Sequence, residues 1–81
     1  MSDLAVGHFD AVGFLTAVNQ VRQERNVSWR RFYRQTGVQA SNIKIVLRKK
    51  HAGIHTNTLA ALVLWSGINP QTYMELRKVE A

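Results

Sequence analysis

The chain contains no cysteine, so neither a disulfide nor a thiolate-bound metal can hold it together. It has one proline, Pro70. No apolar run approaches the ~20 residues of a membrane-spanning helix. The opening Met1-Ser2-Asp3-Leu4-Ala5 lacks the basic start of a secretory leader, so the expected setting is cytoplasmic, away from membranes. Acids are the scarcest charge. Asp3, Asp10, Glu24, Glu75 and Glu80 lie towards the two ends, and none falls between Arg25 and Met74. Paired-carboxylate chemistry is thereby excluded from the middle of the chain. Asp10 and Glu24, the acids nearest the core pattern, would stand about four turns apart on one helix. There is also no Ser-His-acid arrangement and no glycine-rich phosphate loop. The sequence reads as a non-enzyme with no cofactor and no small-molecule substrate.

What is present is cationic. The net charge is +6 and the isoelectric point about 10.6. The acid-free span carries Arg25, Arg30, Arg31, Arg34, Lys44, Arg48, Lys49 and Lys50. An ordinary soluble surface mixes the signs. A stripe of one sign is either a solvated basic face or the electrostatic footprint of a nucleic-acid binder, and charge alone does not choose between them. With 81 residues and 46% hydrophobic content, the chain is one small folded unit rather than a disordered segment. The expected organisation is a loosely held arm over residues 1–9, a single domain over 10–76 and a tail over 77–81.

The centre of that domain is Ala40 to Lys50. As a helix it places Ile43, Val46 and Leu47 at i, i+3 and i+4 on one side. Ser41, Lys44, Ile45 and Arg48 share the other side at i, i+3, i+4 and i+7. The first face can pack into a small core. The second offers hydroxyl, ammonium, methyl and guanidinium groups that suit base edges and phosphates in a major groove. Ile45 there can meet a thymine methyl or merely pad the core edge.

The flanking segments read as further helices. Asp10 caps the first, running to about Arg25, with Phe14, Val18 and Val21 in a stripe widened by Ala11 and Leu15. Asn19, Gln20, Arg22 and Gln23 face away. Ser28 caps the second, over Ser28 to Gln35, with Trp29, Phe32 and Thr36 on its inner or boundary face. Arg31 stands where a capping-box acid belongs. Arg30 and Arg31 therefore meet the positive end of the helix dipole, each at a cost of roughly 0.3–1 kcal/mol that a bound phosphate would offset. Gly37 supplies the positive φ that ends this helix. His51 to His55 forms a loop, and a fourth helix runs from Asn57 or Thr58 to Ser66. Leu59, Leu62, Val63 and Ser66 form its stripe, Trp65 sits beside it, and Gly67 closes it. Asn69 and Pro70 look like the cap and first residue of a fifth helix carrying Tyr73, Met74 and Leu76.

Two other chemistries are weaker. His51 and His55 are spaced i, i+4, but Gly53 lies between them and no third ligand is near, so no metal site is expected. Trp29 and Tyr33 among arginines could stack on single-stranded bases, although Trp29, Phe32 and Trp65 at helical spacing suit a core.

The run Ser28-Trp-Arg-Arg-Phe-Tyr-Arg-Gln-Thr-Gly-Val-Gln-Ala-Ser-Asn-Ile-Lys-Ile-Val-Leu-Arg48 resembles the Cro/repressor-type helix-turn-helix, or xenobiotic-response-element family. Thr58-Leu-Ala-Ala-Leu-Val-Leu-Trp-Ser-Gly-Ile-Asn-Pro70 is similar to that family's fourth helix and the turn into its fifth. The likeness spans roughly Phe14 to Leu76. It implies an all-α, five-helix, lambda-repressor-like domain of phage and bacterial regulators, acting at the nucleoid of a bacterial host. By position it implies phosphate contacts from Ser28 and Trp29, and from Arg48 and Lys49 after the recognition helix. Gln39 and Ala40 would open that helix, with Ser41, Asn42 and Lys44 at or beside its base-reading positions. Three residues depart from the pattern. Tyr33 replaces a small alanine, implying a wider helix crossing or an outward ring; Thr36 replaces a leucine, and Leu47 a frequent glutamate.

Two functions stay in view. The first is a sequence-specific regulator bound to double-stranded operator DNA. Gln39, Ser41, Asn42, Lys44 and Ile45 would read bases, and Ser28, Trp29, Arg30, Arg34, Arg48, Lys49 and Lys50 would hold phosphates. The second is a protein-interaction module of the same fold, docking an acidic protein. A homodimer, formed in solution or only on DNA, would use Tyr73, Met74, Leu76 and Val79.

Overall fold

Asp10 joins two kinds of structure. Its backbone N–H donates to the Tyr73 carbonyl at 2.7 Å, while its side chain accepts from the Gly13 N–H at 2.9 Å. The first bond closes a pair of strands, and the second caps a helix. The computed structural model describes residues 5–50 and 53–78. Within them, β1 (Ala5–Phe9) leads into α1 (Ala11–Glu24), α2 (Trp29–Thr36), α3 (Ala40–Lys49) and α4 (Thr56–Ser66). A 3-10 turn over Pro70–Tyr73 then delivers the chain into β2 (Met74–Lys78).

This corrects the expected all-α, five-helix fold. Four α-helices are joined by a two-stranded antiparallel sheet, in which Ala5 opposes Lys78 and Phe9 opposes Met74. Ala5–Phe9, read as part of an arm, is a strand. The Asn69-Pro70 start does form, with the Asn69 side chain accepting from the Gln71 N–H at 3.0 Å, but it yields only the 3-10 turn. Extended backbone follows because the chain finds a strand partner at β1, and pairing there replaces the bonds that a helix would make within itself. Residues 1–4, 51–52 and 79–81 lie outside the described set, and with them His51 and Val79.

The core gathers where the helical stripes converge. Phe14, Phe32, Leu15, Ile43, Leu62 and Val18 are its largest fully buried side chains. Phe14 also meets Phe9 at 5.4 Å and Tyr73 edge-on at 5.9 Å, which fastens the base of the ribbon to α1. Tyr73 is thus engaged in this packing. Phe32 stands edge-on to Trp65 at 4.9 Å and to Trp29 at 5.5 Å, tying α2 to α4. Arg25 closes α4 from a distance. Its guanidinium donates to the carbonyls of Trp65 at 2.9 Å and Ser66 at 3.3 Å and lies over the Trp65 ring. A cation at the negative end of a helix is favourable. No helix among the described residues is long and apolar enough to cross a membrane.

Candidate nucleic-acid interface

The α2–α3 corner is made by three residues. Ser28 is extended, at ψ 159°, and its hydroxyl accepts from the Arg31 N–H at 3.2 Å, starting α2. Gly37 ends α2 in the left-handed region, at φ 73°, and its N–H reaches the Tyr33 carbonyl at 2.8 Å. Thr36 makes polar contacts in the turn. Its hydroxyl donates to the Phe32 carbonyl at 2.9 Å and accepts from the Val38 N–H at 3.0 Å. Val38 itself is buried, so the corner is pinned to the core. Tyr33 is 49% exposed, so it is not enclosed between the two helices.

The two faces of α3 separate as their spacing requires. Ile43 and Val46 are buried and Leu47 packs against the core edge. Ser41, Asn42, Lys44, Ile45, Arg48 and Lys49 are exposed, as are Gln39 before the helix and Lys50 after it. Gln39 occupies the cap position without using its side chain to cap. Ile45, 41% exposed, does not belong to the core; it lines a shallow depression with Asn42, Ile54, His55 and Thr58. Lys50 takes a left-handed conformation at φ 61°, where glycine is the low-cost residue. A cation held there costs stability, and its charge lies at the end of the helix that carries Arg48 and Lys49.

Arg22, expected to face away from the body, is the site residue that sequence reasoning missed. It is half-buried, and its guanidinium sits 3.9 Å from the Trp29 ring centre. Hydrogen bonds to Asn19 Oδ1 at 3.0 Å and to the Val27 carbonyl at 2.8 Å hold it there. The Lys44 ammonium approaches the same ring at 5.4 Å, within the range of a cation–π contact. Trp29 therefore connects α1, α2 and α3, and Lys44 is drawn towards it. No sequence spacing relates Arg22 to Trp29, because they lie on different helices. Arg25, counted in the basic stripe, is committed to capping α4.

The remaining cations are unopposed. Among the described residues the one ion pair is Arg77–Glu75, at 2.9 Å, far along the chain from this face. Arg30, Arg31 and Arg34 are exposed on α2, and Arg48, Lys49 and Lys50 at the end of α3. Uncompensated charge of one sign over two adjacent helices produces a positive field that attracts polyanions. His55 serves the fold, since its Nδ1 accepts from the Asn57 N–H at 3.2 Å and caps α4. No protein-family pattern, characterised protein or solved structure matches this chain.

Proposed function

We propose that this protein is a sequence-specific, double-stranded-DNA-binding transcriptional regulator of Cro/repressor type, with α3 as the helix that enters the major groove. The observation that carries this reading is the exposed side of α3. It combines Ser41, Asn42, Lys44, Ile45 and Arg48 with no acid, while Ile43 and Val46 anchor the helix from behind. Gln39, Ser41, Asn42 and Ile45 are the base-reading set, and Lys44 joins it by leaving or sharing the Trp29 ring. Ser28, Trp29, Arg30, Arg34, Arg48, Lys49 and Lys50 are the phosphate set, on either side of the corner. The left-handed Lys50 supports the assignment, since a charge kept at a strained position favours a functional reason for that residue.

The test is selection of bound duplexes from a random pool at about 0.15 M salt, a physiological ionic strength. An enriched motif is the expected result. Binding without enrichment would overturn the reading in favour of a module that docks an acidic protein. Log affinity for the selected site should fall with log salt at a slope of about −5, if some six phosphates are neutralised. Asn42→Ala should relax sequence preference, whereas Lys49→Ala should weaken selected and random duplexes by the same factor. Competition binding separates the two effects, and the opposite outcome would reverse the sorting of bases and phosphates.

A further inference from the structure

Two cations meet the Trp29 ring, and they are held very differently. The Arg22 guanidinium lies 3.9 Å from the ring centre, in van der Waals contact with it. It is fixed there, because Asn19 Oδ1 and the Val27 carbonyl accept from its Nε and one terminal nitrogen at 3.0 and 2.8 Å. The Val27 N–H donates in return to the Arg22 carbonyl at 3.0 Å, and Val27 is buried, so this assembly is pinned to the turn between α1 and α2. Phe32 stands edge-on to the same indole at 84°. The ring plane is therefore set before α3 meets it. Lys44 comes from α3. Its ammonium is 5.4 Å from the ring centre, the residue is exposed, and no ion pair among the described residues engages it.

Stability alone does not ask for a cation at position 22. A neutral donor could serve both acceptors, whereas a half-buried guanidinium beside a second cation, with no acid near it among the described residues, is unfavourable. The arrangement does something for Lys44. An ammonium on a four-carbon stem samples many rotamers, and ordering it on a base costs entropy. The negative face of an indole narrows that choice in advance. Repulsion from Arg22 loosens the hold, and Lys44, the unanchored cation, is the one that stays free to move.

We propose that Arg22 is a positioning residue for base reading. It sets the plane of the Trp29 ring, and the ring keeps the Lys44 ammonium at the α2 side of α3. Lys44, still sharing the ring, donates to a guanine, whose O6 and N7 are the major-groove acceptors that suit a lysine. Arg22 itself touches neither base nor phosphate. The phosphate role of Trp29 is compatible with this, since an indole meets a cation with its face and an anion with its N–H edge. The inference rests on the regulator reading and adds to it the base that Lys44 reads and the residue that prepares Lys44 to read it.

The test compares the full chain with Arg22→Lys, which keeps the charge but loses the planar fork. Arg22→Lys should bind the selected duplex about twofold to fivefold more weakly, the strength of one exposed cation–π contact. Random duplex should be bound as before and the salt slope should not change, because no phosphate contact is removed. Lys44→Met identifies the guanine as the base pair at which preference is lost. In that background Arg22→Lys should have no further effect on preference, since the residue through which it acts is gone. NMR of the Lys44 ε-methylene reads the geometry without reference to affinity. The Trp29 ring current should move its protons upfield in the free protein and in the selected complex, and by less in Arg22→Lys. A purely structural Arg22 would weaken selected and random duplexes by the same factor. That result, a loss that persists in Lys44→Met, or a Lys44 shift absent or indifferent to Arg22→Lys would each overturn the inference and leave the regulator reading standing. A pool that yields no motif would overturn both.

Discussion

The helical body and the strand ribbon are held by different forces. In the body, side chains dominate: Phe14, Val18, Phe32 and Leu62 are wholly buried, and the four helices surround them. In the ribbon, no residue is buried; every position of β2 is exposed, and only His8 and Phe9 of β1 are even partly covered. The strands are held by backbone pairing and by the anchor that Phe9 and Tyr73 make on Phe14. Charge divides the same two regions in the opposite sense. The ribbon pairs Arg77 with Glu75, whereas the cations of α2 and of the end of α3 have no acid near them among the described residues. One region is complete in its interior with an unsatisfied surface. The other pairs one of its two cations with its one acid but is incomplete along its edges.

The sharpest way to test this contrast is to remove one side chain from each region. Phe32→Ala should destabilise the protein by about 3–5 kcal/mol, because it empties a fully buried aromatic site between Trp29 and Trp65. Leu76→Ala, measured on dilute protein, should stay within about 0.5 kcal/mol, as expected of an exposed surface position. Denaturant unfolding of both variants gives the comparison. Similar losses would mean that the ribbon packs on the body more closely than its exposure indicates.

A smaller effect separates stability from binding at the end of α3. Lys50→Gly should stabilise the fold by about 0.5–1 kcal/mol, since glycine adopts the left-handed cap at little cost. The same change should weaken duplex binding and flatten its salt slope by about one phosphate's share. Thermal unfolding and a salt titration read the two independently. If both stability and affinity fall, Lys50 holds the α3 terminus in place and has no phosphate role.

The parts of this protein legible from its sequence are those set by near neighbours. Asp10, Ser28, Gly37 and Gly67 mark helix ends through bonds to residues within four positions of themselves. The buried stripes of α1 and α3 follow from helical spacing, as does the split of α3 into an apolar and a polar face. Two features were not legible, for one reason. Met74–Lys78 contains good helix formers after a genuine helix-start signal, and only its pairing with β1, at the other end of the chain, decides that it is extended. Arg22 lies on the polar side of its own helix pattern. Its placement over Trp29 exists only once α1 and α2 have packed together.

Local stereochemistry and hydrophobic period therefore determined the four helices, the caps at Asp10, Ser28, Gly37 and Gly67 and the basic face from the sequence itself, because those interactions close within a few residues. The start of α4, read at Asn57 or Thr58, falls instead at Thr56 with His55 as its cap. The tertiary structure decided the strands, the Trp29 cluster and the capping of α4 by Arg25. Each of these needs partners that chain folding alone brings within reach.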